Sequence, residues 1–215
     1  MQRRSLTRAA ASVFVLLLSS PAWAGYQAGL NAYSNGDDVR ALKELRPLAL
    51  AGDARAQDIL AIMYYSGEGL PLDRTEAARW FRLAAEQDHM IAQRILGRLY
   101  REGIGVPQDF AEAMRWYHRA AAQGDLSAKY SLGMMYAKGL GGPQDEVKAY
   151  MWYSIAHAQG QKDKLARHMT SDQIAEAERL VRRWKPRPLR SHADYCKVHF
   201  PSGTAGCPDA SSPDH

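Results

Sequence analysis

The chain has 215 residues, 46% of them apolar and 24% charged, with 28 lysines and arginines against 23 aspartates and glutamates. Three of the arginines fall in the first eight residues, so the formal net charge of +5 is largely a property of the N-terminus and gives little support to a nucleic-acid partner. What remains is enough chain for one domain with a real core.

The first element is a leader. Arg3, Arg4 and Arg8 precede an apolar run from Ala9 to Leu18, and Pro21-Ala22-Trp23-Ala24 supplies a small-x-small cleavage pattern. This predicts a secretory signal peptide over residues 1–24, removed after Ala24. The run is shorter than the roughly 20 apolar residues a membrane anchor needs. No later run is long enough either, so no stable membrane span is expected. Export places the mature chain in the periplasm or outside the cell.

An internal repeat follows. The stretches starting at Ala56, Ala92 and Ala128 are related by a constant step of 36 residues. The same step relates Tyr64, Tyr100 and Tyr136, then Gly67, Gly103 and Gly139, then Gly69, Gly105 and Gly141. It also relates Asp73, Asp109 and Asp145, then Trp80, Trp116 and Trp152. A degenerate unit precedes these, with Tyr33 and Gly36 standing for Tyr64 and Gly67 and a loop five residues shorter. Residues 25–160 thus divide into four units, at about 26–55, 56–91, 92–127 and 128–160.

Each unit reads as two helices. Ala92, Leu96, Leu99, Tyr100 and Gly103 recur at helical spacing, and Gly103 accepts the left-handed backbone that closes a helix. Asp73 with Glu76, and Asp109 with Glu112, predict capping boxes at the second helices. In the last unit Lys148 leaves that box incomplete. Gly52, Gly124 and Gly160 are expected to end second helices, with Asp88 substituting once. Ala61, Gly97 and Gly133 let helix axes approach, and the large Trp and Tyr side chains fill the space between units. The fold class is therefore all-α: a solenoid, or α-α superhelix, of helix-turn-helix repeats.

These motifs resemble the Sel-like repeat family, a longer relative of the tetratricopeptide repeat. The resemblance is carried by A-x-x-x-L-G-x-x-Y-x-x-G-x-G-V at Ala92 to Val106 and D-x-x-x-A-x-x-W-Y-x-x-A-A-x-x-G at Asp109 to Gly124. It implies a right-handed solenoid whose first helices line a concave surface, and a role as a protein-binding adaptor or scaffold. The paired cysteines per repeat of the family's cysteine-rich branch are missing, so no activity of that branch is implied.

Beyond the repeats, residues 161–188 are expected to hold a C-terminal capping helix. Thr170 and Gln173 form a capping-box pattern, and Ile174, Ala177, Leu180, Val181 and Trp184 lie on one face. From Lys162 to Arg190 there are nine basic and four acidic residues, read as the solvated outer face of a cap rather than a lipid or nucleic-acid site. Residues 189–215 read as a flexible tail. Cys196 and Cys207 lie there, and export favours a disulfide between them over a metal site.

No cofactor is expected, and no metal or catalytic constellation is evident. The mature chain has no S-x-x-K, G-x-S-x-G or H-E-x-x-H, and its Gly-x-Gly steps follow helices, not strands. His89, His118 and His157 occupy non-equivalent repeat positions and read as surface or packing residues. The reading is a protein- or peptide-binding module. A cell-envelope enzyme or hydrolase-associated regulator is the alternative, and a structural spacer is the bland one.

On the first helices, the positions opposite the core stripe are Asp58, Ile62 and Tyr65, then Arg94, Arg98 and Arg101, then Tyr130, Met134 and Ala137. Three arginines in a row repel one another, while Arg and Tyr are enriched at interfaces. Arg94, Arg98, Arg101, Tyr65, Tyr130 and Met134 are therefore the candidate partner-binding residues, suited to an acidic segment. The competing reading pairs these arginines with carboxylates of neighbouring helices.

Protein recovered from an exported fraction should have an intact mass that begins at Gly25. Recovery of the uncleaved chain embedded in the membrane would overturn the leader assignment.

Overall fold

The computed structural model describes residues 21–185, and among them every regular element is a helix. The leader's first 20 residues, the Cys196–Cys207 pair and the tail lie outside the described residues. Chain contacts divide the molecule into two compact units, Met1–Leu83 and Ala84–His215.

The first unit contains α1 (Pro21–Ser34), α2 (Asp38–Leu50), α3 (Ala54–Ser66) and most of α4 (Arg74–Glu86). Helices α1 and α2 pack as an antiparallel pair, and α3 packs on α2. Ala32, Ala41, Leu45, Ala49, Ala56, Leu60 and Met63 form the core here, with Tyr33, Tyr64 and Trp80 half-buried against it. The second unit contains the end of α4, then α5 (Met90–Glu102), α6 (Phe110–Ala122), α7 (Leu126–Lys138) and α8 (Glu146–Ile155). It closes with α9 (Gln159–Ala166) and α10 (Ser171–Arg183), both packed on α8.

The expected helix stops are found at the first helices. Gly67, Gly103 and Gly139 take φ of 76°, 68° and 65° and cap α3, α5 and α7. The second glycine of each Gly-x-Gly has a different task. A Cβ on Gly69 would lie 2.6 Å from the Asp38 side chain, and one on Gly141 would lie 2.8 Å from the Phe110 carbonyl oxygen. The loop thus presses against the start of the preceding second helix, where a side chain would not fit.

Second-helix starts differ from the expected capping boxes. Asp73, Asp109 and Asp145 do accept from the backbone amides of Glu76, Glu112 and Lys148. The return arm is absent, because the cap amides are already engaged. Those of Asp73, Asp109 and Asp145 donate to the carbonyls of Tyr64, Tyr100 and Tyr136 at 2.9, 2.9 and 3.0 Å. Glu76 and Glu112 are turned instead to Arg79 and Arg115 one turn on. In the last unit Lys148 pairs back with Asp145 at 3.0 Å, so the incomplete box is replaced by an ion pair. Thr170 and Gln173 form the one reciprocal box described, at α10.

Second-helix ends also depart once. Gly52 and Gly124 take positive φ as expected, and Asp88 does so with φ 62°. Gly160 does not end α8. That helix stops at Ile155, His157 takes the left-handed turn with φ 56°, and Gly160 lies inside α9. The break comes three residues early because α9 replaces the next first helix with a short connector. The span expected as one capping helix therefore holds α9 and α10.

Trp116 and Trp152 are buried, as the repeat requires, whereas Trp80 is only half-buried. The Trp116 indole N–H has no hydrogen-bond partner among the described residues. It follows that Trp116→Ala should cost about 3–5 kcal/mol from lost burial and cavity formation. Trp116→Phe should cost much less, since it also removes an unsatisfied donor. Denaturant titration of the full chain checks both, and an unchanged midpoint for the Ala variant would refute the packing role.

Candidate functional site: the first-helix face of the second unit

The first helices α5 and α7 carry five of the six expected partner-binding residues in one unit: Arg94, Arg98 and Arg101 on α5, Tyr130 and Met134 on α7. Tyr65 belongs to the first unit, where the Arg74 guanidinium lies 5.9 Å from its ring centre. Together α5 and α7 hold five basic side chains, the three arginines with Lys129 and Lys138, against Glu102 as their one acid.

The three arginines are not equivalent. Arg94 donates from Nε to Asp125 Oδ2 at 3.0 Å, and the Asp125 carboxylate is nearly buried. Asp125 also caps α7, accepting from the Ala128 amide at 2.7 Å. Arg94 is thus committed to holding α5 against the start of α7, as the competing sequence reading had it. Arg101 pairs with its chain neighbour Glu102 at the surface. Arg98 is exposed.

Beneath the arginines lies Tyr117 of α6. Its ring sits under Gly97, where an added Cβ would be 2.9 Å from Cδ1. Its hydroxyl bonds to the Ser131 side chain on α7, beside Arg98, Arg101 and Glu102. Ser131 also donates to the Ser127 carbonyl at 2.9 Å. Burial pushes the Tyr117 hydroxyl above its usual range, and the arginines oppose that shift. One side chain therefore bridges α5 and α7 and forms the floor between them.

The α7 half of the face is apolar. Leu126 and Tyr130 are exposed and Met134 half-buried, each four residues from the last on one side of the helix. Tyr130 is tilted on Tyr153 with ring centres 5.4 Å apart. Burial, then the neighbouring Tyr130, pushes the Tyr153 hydroxyl up to about 12.

The remaining named positions are structural. Tyr100 is buried. Tyr136 is held well above the usual tyrosine range by burial, with its hydroxyl 3.5 Å from His118 Nε2. His118 is 3% exposed and stacks edge-on against Trp152, so it is a packing residue. Asp58 does not share the outward position of Arg94 and Tyr130: it is 5% exposed. A short carboxylate cannot reach past neighbouring side chains as a long guanidinium stem does.

Two features escaped the sequence reading. Gln57 and Gln93 donate to the carbonyls of Ala49 and Ala85 at 3.1 and 3.0 Å, tying each first helix to the preceding second helix. The third member of that series is Lys129, whose ammonium lies 4.9 Å from the Trp184 ring centre at the end of α10. Burial holds this lysine below its usual range, against the pull of Asp125. The 36-residue step links the three positions, and the polar identity at a core-facing register is the signal that could have found them.

Because Asp125 serves both as cap and as partner of Arg94, its variants separate the two roles. Asp125→Ala should destabilise by about 1–2 kcal/mol. Asp125→Asn, which keeps the cap, should cost under about 1 kcal/mol, the worth of a partly exposed ion pair. Equal losses in denaturant melts of the two variants would contradict this division.

The geometry has counterparts among known proteins. A Sel1 repeat family model matches residues 54–89, 91–125 and 126–161, that is α3–α4, α5–α6 and α7–α8, leaving the degenerate α1–α2 hairpin outside. The structure is similar to that of a Sel1 repeat protein from Oxalobacter formigenes, at 28% identity and a TM-score of 0.59, covering 78% of this chain and 67% of that one. It is also similar to a protective antigen of uropathogenic Escherichia coli displaying an SLR fold, at 27% identity and a TM-score of 0.62. That match covers 92% of this chain and 50% of the antigen, so the chain spans half the antigen's length. Among curated proteins none matches. By its three matched repeats and its structural neighbours, the chain belongs to the Sel1 repeat family.

Proposed function

We propose that this protein is an exported, non-enzymatic scaffold that holds an acidic segment of a protein partner on the α5–α7 face. Sel1 repeat proteins are typically protein-interaction scaffolds, which supports the class. The leader pattern over residues 1–24 supports export, and among the described residues no helix is long and apolar enough to cross a membrane.

The observation that carries the site is the run of three arginines along α5, with Arg98 exposed, on a face that also exposes Tyr130 of α7. A surface serving solubility alone would alternate its charges, since like charges at helical spacing repel. Guanidinium forks recognise carboxylates with paired, charge-assisted hydrogen bonds. Arg98 and Arg101 are the principal contacts, and Arg94 supports them from its bond to Asp125.

The basic C-terminal helix has a weaker claim. On α10, Arg179 is bound to Glu176 at 2.7 Å and Arg182 approaches Glu178 at 3.8 Å, so its charge is partly compensated in place.

The test is partner recovery from envelope extract using the chain with Arg94, Arg98 and Arg101 changed to Ala. Recovery should fall about tenfold or more, as two or more charge-assisted bonds are lost. Unchanged recovery, with helical circular dichroism intact, would place the partner elsewhere.

A further inference from the structure

The first hairpin departs from its repeat in bulk as well as in length. Its loop is five residues shorter than those that follow, and it has no counterpart of Leu70 or Val106, which are half-buried in the next two units. Aligning Tyr33 with Tyr64 sets Ala28 against Ile59 and Ile95, and Ala32 against Met63, Leu99 and Met135. Bulk is thus missing from two helix positions and from the loop. A cleft of about 450 Å³ opens at this end of the hairpin, lined by Ala28, Asn31, Ala32, Asn35, Asp37 and Arg40. That volume falls among sites that hold small molecules, roughly 300–1,000 Å³.

The polar groups of the cleft are the ones the fold does not use. Arg40 stands where the repeat places Glu76, Glu112 and Lys148. Each of those three is ion-paired within one turn. Arg40 is in no ion pair among the described residues, and Asp37 Oδ1 accepts only its backbone amide, at 3.1 Å. A cation in the first turn of a helix also opposes the helix dipole. Asn31 is a weak helix former inside α1, and neither its side-chain amide nor that of Asn35 is hydrogen-bonded among the described residues. Residues that break local rules without a structural return are expected where a chain binds something.

We propose that this cleft binds a zwitterionic dipeptide with an aliphatic side chain. Arg40 takes the carboxylate and Asp37 the ammonium, each by a charge-assisted hydrogen bond. Asn31 and Asn35 each offer a donor and an acceptor, which match the N–H and C=O of the peptide bond. The aliphatic group rests on Ala28 and Ala32, in the space that larger side chains fill in later units. A simple anion would face the Asp37 carboxylate with no compensating charge, and an apolar ligand would cover four polar groups without bonding them. A single amino acid would leave the asparagine amides unmatched. The site lies wholly in the first unit and does not rest on the α5–α7 reading.

Isothermal titration of the full chain with alanyl-leucine tests the assignment. Binding is expected in roughly the millimolar range or tighter, given the size of the ligand. N-acetyl-alanyl-leucine and alanyl-leucinamide should each bind about tenfold or more weakly, the worth of one charge-assisted bond. Arg40→Gln should erase the preference for the free carboxylate and keep that for the free amine. Asp37→Asn, which keeps the helix cap, should do the reverse. Ala28→Ile, which restores the residue of the next two units, should abolish binding with helical circular dichroism unchanged. Free leucine binding as tightly as alanyl-leucine would overturn the dipeptide assignment. No saturable binding by the folded chain, or binding indifferent to all three substitutions, would overturn the site.

Discussion

In the second unit, a tyrosine ring lies where a side chain on the facing helix would have been. Tyr117 occupies the space over Gly97, and Tyr153 the space over Gly133, where an added Cβ would come within 2.7 Å of the ring. In the first hairpin Gly29 faces Leu45 in the same way, at 2.5 Å. The missing side chain lets the two helices approach, and the ring then fills the seam that this approach creates. Interiors are packed at crystal-like density, so the pair is set by shape rather than by apolar character alone. At Tyr117 the hydroxyl also meets Ser131 of the next first helix.

Around that contact the backbone repeats one bond. The carbonyls of Tyr64, Tyr100 and Tyr136 accept from the amides of Asp73, Asp109 and Asp145, while the same aspartates cap the helices they begin. Each aspartate thus settles two needs at once, with its side chain satisfying a helix-end amide and its own amide satisfying a carbonyl near the end of the previous helix. The loop between them is pinned at both ends, which explains why it can tolerate Gly-x-Gly without losing its shape.

The places where the repeat departs from itself are where the second unit acquires features of its own. Asp88 occupies a left-handed position that is glycine in two other units, and its carboxylate receives Gln93 at 3.1 Å and Arg119 at 2.9 Å. Backbone strain at that residue is offset by two polar bonds. Lys129 replaces the glutamine that ties earlier units together, and Trp184 from α10 covers it, in turn edge-on to Trp152. The terminal repeat has no successor to bury its last second helix, and α10 takes that role, as solenoid ends require. Arg94, Arg98 and Arg101 are a further departure, since the equivalent positions elsewhere are not basic.

The helices, their pairing and their glycine stops were legible because each depends on spacing along the chain. A 36-residue period, a 3.6-residue apolar stripe and a left-handed glycine are all local or periodic properties, and Gly67, Gly103 and Gly139 carry them openly. The division of labour among the arginines was not legible, since it depends on which carboxylate each long side chain meets in space. Arg94 meets Asp125, thirty-one residues away, while Arg101 meets its own neighbour Glu102. Nor could the sequence place Asp58 under cover, turn Glu76 and Glu112 away from their caps, or end α8 at Ile155 instead of before Gly160. Sequence determined where helices run and which stripe faces inward; the tertiary structure alone decided which polar groups meet, because hydrogen bonds and ion pairs form over about 3 Å and are set by packing, not by position in the chain.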